Sequence, residues 1–88
     1  MEKSEIIKAI EGRVMAAESK NYSIWTVGIT NNPGRRKNEH ESEKNVRHWN
    51  DWKADSENEA RDIEKYFLAK GMKGEAGGGE NPTYVYIF

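Results

Sequence analysis

Apolar and polar positions alternate with two different periods along the chain. From about residue 4 to residue 20 the apolar residues recur at three- and four-residue steps, which predicts an amphipathic helix. Ser4 is a plausible N-cap for this helix, and Asn21 is a plausible end. The predicted buried stripe of this helix consists of Ile6, Ile7, Ile10, Val14 and Ala17.

Three other stretches have the composition of β-strands. Residues 22–30, "YSIWTVGIT", are rich in β-branched and aromatic residues, and their alternation places Tyr22 on the same face as Thr26 and Gly28. Residues 47–54 and 83–88 are the second and third predicted strands. The last one is so apolar that we expect it to be paired within the sheet rather than at an edge.

Two further helices are predicted between these strands. A short helix should begin near Pro33 or Gly34, after the "NNPG" turn, and end near residue 42. The sequence "SENE" at residues 56–59 is a capping box that opens a helix to about residue 70, where Gly71 ends it. The following "GMKGEAGGGENP" is predicted to be a mobile loop, and its spacing excludes a nucleotide-binding P-loop. We therefore predict an α+β fold with a small three-stranded antiparallel sheet flanked by helices.

Composition limits the kinds of protein to consider. The chain has 88 residues, which corresponds to one domain, and 35% of them are hydrophobic, so the core must be small. Lysine and arginine (14) nearly balance aspartate and glutamate (15), so any contact with phosphate must be local. Cysteine is absent, which excludes disulfides and thiolate metal sites. No apolar run is long enough for a signal peptide or a membrane span, and we expect a soluble, cytoplasmic protein without membrane contacts.

Glu64 interrupts the apolar stripe of the helix at residues 56–70. It lies one turn from Ala60 and one turn from Leu68, in a stripe that also includes Ile63 and Phe67. A carboxylate in such a stripe is costly unless it is paired or binds a cation. The alternative is that Glu64 lies at the margin of the stripe, where it reaches solvent or a lysine.

Arg36 and His40 are four residues apart on the short helix and therefore share a face. Arginine suits phosphate because its planar guanidinium donates two hydrogen bonds and stays charged, and histidine can move a proton near neutral pH. The alternative is a solvated helix face, since Glu39, Glu41 and Glu43 are close in sequence.

The order and spacing of these residues resemble the GIY-YIG nuclease family. A strand containing Gly28 is followed by a turn, by Arg36 eight residues later and by His40 four residues after that. The later segment "EARDIE" is similar to the E-A-x-x-x-E helix of the family, with Glu64 in the place of the metal-binding glutamate. The resemblance covers about residues 22–70. It implies a single GIY-YIG-like domain over residues 1–88, with an extra N-terminal helix at about 4–20 and a C-terminal strand at about 83–88.

The chain departs from the family pattern at both tyrosine motifs. The first tripeptide is missing, and Thr26 stands where the second motif has its tyrosine. The asparagine expected after "PTY" is replaced by Val85. We hypothesise that the strand order is permuted, so that the C-terminal strand takes the place of the missing first strand. Tyr84 or Tyr86 would then supply the missing phenol, and Tyr22 is a third candidate.

The resemblance implies metal-dependent hydrolysis of DNA phosphodiesters, as in an endonuclease. Glu64 would bind Mg²⁺ or Mn²⁺ largely through waters, Arg36 would hold the scissile phosphate, and a tyrosine or His40 would help deprotonate water. Flanking phosphates would contact other basic residues without reading base sequence. These basic residues are Arg35, Lys37, Lys44, Arg47 and Lys53.

Two other functions remain open on the sequence. A catalytically degenerate module of the same fold would bind nucleic acid, or a protein partner through Trp49 and Trp52. A purely structural protein would leave the positions of Glu64 and Arg36 unexplained.

Overall fold

A mixed four-stranded sheet forms the centre of the fold, with helices on both of its faces. The computed structural model describes residues 1–17, 21–41, 47–74 and 81–88. Within these residues no helix is long and apolar enough to span a membrane. The elements are α1 (Lys3–Ala16), β1 (Thr26–Thr30), α2 (Pro33–Glu41), β2 (Asn50–Lys53), α3 (Glu57–Ala69), β3 (Lys73–Gly74) and β4 (Tyr84–Ile87).

The C-terminal strand lies inside the sheet, as predicted. The strand order is β2-β4-β1-β3, and β4 is antiparallel to both of its neighbours. In this register Tyr86 lies opposite Gly28 on one side and opposite Asp51 on the other. The apolar residues of β4 therefore have a neighbouring strand on each side.

The predicted three-stranded antiparallel sheet is wrong in one respect, because a fourth strand joins it in parallel. β3 pairs with the start of β1, where the Lys73 amide donates to the Trp25 carbonyl at 2.9 Å. Gly71 adopts a φ of 112° just before it, which ends α3 and turns the chain back along β1. Only two residues pair, within a stretch that we predicted to be a loop, and residues 75–80 lie outside the described part of the chain.

The first predicted strand begins four residues too early. Residues 22–24 form a 3₁₀ turn, capped by the Asn21 side chain, which accepts from the Ser23 amide at 3.0 Å. Tyr22 consequently does not share a strand face with Gly28. Its ring packs 6.1 Å from that of Phe67 on α3. The local hydrogen bonds of Asn21 outweigh the strand propensity of the residues that follow.

Other boundaries differ by a few residues. Glu2, not Ser4, is the N-cap of α1, and this helix ends at Ala16 rather than near residue 20. The second strand begins at Asn50 rather than at residue 47, because residues 47 and 48 lie in a turn. The predicted end of the short helix at residue 42 lies outside the described residues.

The caps of α2 and α3 fix where these helices begin. The Asn32 side chain accepts from the Arg35 amide at 3.0 Å, and Pro33 occupies the first helical position, where its missing N–H costs nothing. Ser56 caps α3 by accepting from the Glu59 amide at 3.2 Å, as predicted from "SENE".

The two faces of the sheet have different partners. Val27, Val85 and Ile87 point towards α1 and α3 and belong to the hydrophobic core; we call this the core face. Gly28 and Tyr86 point to the opposite side, towards α2; we call this the α2 face. The helical residues of the core are Ile6, Ile10, Val14, Ala60, Ile63 and Phe67, so the predicted stripes of α1 and α3 are largely confirmed.

Candidate active site

Polar and aromatic side chains converge on the α2 face around Tyr86. The Arg36 Nε donates to the Tyr86 Oη at 3.3 Å. The Trp49 ring stacks on Tyr86 with 4.5 Å between centroids and 9° between planes. The His40 ring lies 6.1 Å from the ring of Tyr86 on β4, and 4.8 Å from the ring of Phe88, the residue that follows β4. We call these five residues the Tyr86 cluster.

Local structure explains why these side chains meet. The Asn32 cap starts α2 immediately after β1, so the helix crosses the α2 face, and four-residue spacing directs Arg36 and His40 to the same side. Gly28 is required because a Cβ there would overlap the phenol of Tyr86. The resemblance groups Gly28, Arg36, His40 and Glu64 with one of three tyrosines, Tyr22, Tyr84 or Tyr86. The structure brings Gly28, Arg36, His40 and Tyr86 together. It does not bring Glu64 to them, because α3 packs on the opposite face of the sheet.

The interior of the cluster is largely shielded from water. Tyr86 has no exposed surface, His40 is 7% exposed, and the Arg36 side chain is 21% exposed. The Arg36 Nη1 lies 3.7 Å from the Glu39 carboxylate, so the guanidinium connects the buried phenol to the surface. No partner within the described residues bonds the buried Nε2 of His40, which leaves a polar atom free for a ligand or substrate.

Asp51 and Trp49 take part in this arrangement although sequence reasoning did not assign them to a catalytic site. The Trp49 Nε1 donates to the Asp51 Oδ2 at 2.9 Å, which holds the indole against Tyr86. The Trp-x-Asp spacing is visible in the sequence. Its meaning depends on the register that places Asp51 opposite Tyr86, which no local pattern reveals.

The other two candidate tyrosines lie elsewhere. Tyr84 shares the strand and face of Tyr86 but lies two pairs further along, opposite Thr30, with the Lys53 Nζ 6.0 Å from its ring. Tyr22 packs beside α3, and burial, together with the Glu11 charge, raises the pKa of its phenol. Of the three tyrosines, Tyr86 is the one bonded to Arg36.

Glu64 occupies the margin of the buried stripe of α3. Burial raises the pKa of its carboxyl, and the Arg61 guanidinium on the same helix opposes this shift. Leu68, which we placed in the stripe, is 40% exposed, so this edge of the helix faces outward. Because α3 packs on the core face, Glu64 and the Tyr86 cluster belong to elements on opposite faces of the sheet.

The described part of the chain contains no group of three histidine or acidic side chains positioned to bind a metal ion. Glu64 remains the metal candidate, as a single partly desolvated carboxylate. Magnesium sites often use one or two carboxylates and complete their coordination with water and substrate phosphate, so this donor fits such an ion.

The described basic residues that were predicted to contact phosphate lie on α2, on β2 and in the turn before Trp49. Arg35 is on the exposed surface of α2, with 62% of its side chain accessible, and Lys37 follows it on the same helix. Lys53 is exposed on β2, and Arg47 is exposed in the turn before Trp49. Lys44 lies outside the described residues.

Comparisons with known proteins gave no relative for this site: no protein-family model, curated protein or solved structure matches the chain.

Proposed function

We propose that the protein is a phosphodiesterase of the GIY-YIG nuclease type that acts on DNA. The observation that carries this proposal is the hydrogen bond from the Arg36 Nε to the Tyr86 Oη, directly over Gly28 and beside His40. A phenol, a guanidinium and an imidazole within one cluster provide a base, an anion clamp and a proton carrier.

Each of these side chains has a distinct role in the proposed hydrolysis. Arg36 binds a non-bridging oxygen of the scissile phosphate and stabilises the charge that develops in the transition state. Tyr86 acts as a base only after its own proton has left to solvent, and the resulting phenolate, beside the positive charge of Arg36, takes a proton from the attacking water. His40 presents its unbonded Nε2 to a phosphate oxygen or to the leaving group. Arg35, Lys37, Arg47 and Lys53 bind the flanking phosphates.

Glu64 is the residue that would bind Mg²⁺ or Mn²⁺. A carboxylate that has lost part of its hydration gains from a cation beside it, and burial of Glu64 provides that condition. Such an ion, when bound, would supply positive charge to a phosphate of the DNA. Because α3 and the Tyr86 cluster lie on opposite faces of the sheet, this phosphate would be a different one from the phosphate held by Arg36.

The proposal includes a permuted sheet. The antiparallel pairing of β4 with β1 supports this permutation. The pairing places Tyr86 opposite Gly28, which is the position where the missing first strand of the family would have its tyrosine. Tyr86 then replaces both lost motif tyrosines as the catalytic phenol.

The burial of Tyr86 favours a second candidate function. Tyr86 has no exposed surface, so it can take a proton from water only if the cluster opens. Arg36 is also already engaged, since it is bonded to Tyr86 and lies close to Glu39. A catalytically degenerate module would use this bond for stability and bind nucleic acid or a protein partner through its exposed basic residues. Trp49 and Trp52 are both partly buried against the fold, which favours the basic residues as the contact surface.

A plasmid-nicking assay in Mg²⁺ or Mn²⁺ tests the two functions. We expect the wild type to nick DNA, and Arg36→Ala and Tyr86→Phe to abolish nicking. Arg36→Ala should weaken DNA binding only modestly, because several other phosphate contacts remain. Glu64→Ala should also abolish nicking while leaving the fold intact or more stable, since alanine is the better helix former and removes a desolvated charge.

Lys8→Ala is the matched control, since Lys8 is exposed on α1 and distant in the sequence from the cluster. It should nick DNA at the wild-type rate. Absence of nicking by the wild type with either metal, together with retained DNA binding, would favour the degenerate module. Loss of stability in Glu64→Ala would identify Glu64 as a structural residue.

A further inference from the structure

A second concave feature lies where β1 begins and β4 ends. It is a cavity of about 230 Å³ lined by Ile24, Trp25, His48 and Phe88, which we call the Trp25 cavity. Trp25 is only 4% exposed and forms its inner wall, while Ile24 is 56% exposed and lies at the rim. Aromatic and imidazole rings thus surround a space that suits one flat ring system.

The His48 ring supplies a hydrogen-bond donor to these walls. The Nε1 of Trp25 has no acceptor within the described residues, but it is buried beneath the accessible surface and does not face the open space. The Arg13 Nη2 lies 3.1 Å from the His48 Nδ1. Since a guanidinium can only donate, the His48 Nδ1 must be the acceptor. The proton of the neutral imidazole therefore resides on Nε2, which becomes the donor. A ligand for this cavity should carry an acceptor on a planar ring.

Two arginines lie close to residues that line the cavity. The Arg13 guanidinium lies 5.6 Å from the centre of the Trp25 ring, and Arg47 directly precedes His48 in the exposed turn. A planar ligand with an attached anionic group would be attracted to this edge of the domain.

We propose that the Trp25 cavity binds a single unpaired nucleobase of a nucleic-acid strand. The base packs against Phe88, its carbonyl oxygen accepts from the His48 Nε2, and its phosphate lies near Arg13 or Arg47. Base stacking on aromatic side chains depends little on base identity, so the cavity selects unpaired strands rather than a sequence.

This inference rests on the proposed nucleic-acid function and extends it to a substrate class. Phe88 belongs to both sites, with its ring 4.8 Å from His40 and 5.6 Å from Trp49. A strand whose phosphate contacts Arg36 would therefore have a neighbouring base within reach of the cavity. The favoured substrate is DNA with an unpaired or displaced nucleotide beside the scissile bond.

The test compares two fluorescein-labelled oligonucleotides by anisotropy, without divalent metal so that cleavage plays no part. One is an eight-residue thymidine strand, and the other has a single abasic residue at its centre. We expect the abasic strand to bind about tenfold more weakly, since it lacks one stacked base. Trp25→Phe and His48→Ala should weaken binding of the intact strand and reduce the difference between the strands. Trp52→Phe, which makes the same change outside the cavity, should not.

The outcomes separate this inference from the proposed function. Equal affinity of the wild type for the two strands at every tested position of the abasic residue would overturn it, whether or not the protein nicks plasmid DNA. A base-dependent difference that the Trp25 and His48 variants lose supports it even in a protein that cleaves nothing. If Trp25→Phe does not fold, His48→Ala decides alone, because it changes an exposed residue and should fold. The inference is overturned if His48→Ala still binds the intact strand more tightly than the abasic strand by the wild-type factor.

Discussion

Tyr86 fills the space that a side chain on Gly28 would occupy. The two residues lie opposite each other on β4 and β1, and a Cβ at residue 28 would overlap the Oη and Cζ atoms of the phenol. The absence of a side chain at Gly28 is therefore what allows a tyrosine from the end of the chain to lie beside Arg36.

Gly28→Ala should lower the free energy of unfolding by about 1–3 kcal/mol, because overpacking forces Tyr86 or the strand to shift. The matched control is Gly12→Ala on α1, where a Cβ would meet nothing within 4 Å. This control should raise stability by about 0.5–1 kcal/mol through helix propensity. Urea unfolding curves measure both variants. Equal stabilities for the two variants would contradict the close packing of Tyr86 over residue 28.

The bond between Arg36 and Tyr86 should contribute measurably to stability. A double-mutant cycle with Arg36→Lys and Tyr86→Phe isolates it, since contacts that Arg36 makes elsewhere cancel in the cycle. At 3.3 Å we expect a coupling energy of about 1 kcal/mol. Chemical denaturation of the wild type, both single variants and the double variant gives this energy. Additive effects would show that the bond contributes nothing.

His40 should be more important for activity than for stability. Its Nε2 is buried without a partner in the described residues, and such an atom costs free energy in the folded state. His40→Leu should therefore leave the free energy of unfolding unchanged or raise it by up to about 1 kcal/mol. The same variant should lose DNA nicking. Thermal unfolding and DNA nicking should be measured on the same preparation of each protein. A His40→Leu variant that is destabilised but still nicks DNA would contradict a role of His40 in activity.

Glu64 should make stability decrease as the pH rises. Burial raises the pKa of its carboxyl in the folded state above the ordinary value of 4.5, so the folded protein retains this proton to a higher pH than the unfolded chain. The free energy of unfolding then falls as the pH rises from the unfolded pKa through the folded pKa. Above both values the penalty is fully present.

Glu64→Gln removes this dependence. It should be more stable than the wild type at pH 7 by less than about 1 kcal/mol, because the carboxyl is only half-buried and solvent screens part of the effect. The two proteins should converge below pH 4. Denaturation at several pH values measures the difference, and a constant difference across pH would exclude titration of Glu64 as its cause.

Arg35 should contribute to DNA affinity through charge alone. Its side chain is 62% exposed, so Arg35→Ala should leave the fold intact and weaken binding to all DNA sequences alike. The slope of log affinity against log salt concentration should fall by about one unit. Lys8→Ala, an exposed lysine on α1, should leave this slope unchanged. An unchanged slope for Arg35→Ala would place the DNA elsewhere on the domain.

Local sequence patterns identified most of the helices and strands because their signals depend on near neighbours. The three- and four-residue spacing of Ile6, Ile10 and Val14 predicted the buried stripe of α1, and Ser56 with Gly71 marked the ends of α3. Those signals failed where local hydrogen bonds competed with propensity, as at Asn21, and where a strand was only two residues long, as in β3.

The sequence by itself determined that Arg36 and His40 share a face, because a single helical step connects them. The family resemblance added Gly28 and Glu64 to this set, and the structure joins only Gly28 to it. The tertiary structure alone decided that Tyr86, rather than Tyr84 or Tyr22, joins this set. That choice depends on the register between β4 and β1, and a shift of one residue would turn Tyr86 to the core face. The placement of Glu64 was likewise a tertiary matter, because helix periodicity gives its angle on α3 but not the face of the sheet on which α3 packs.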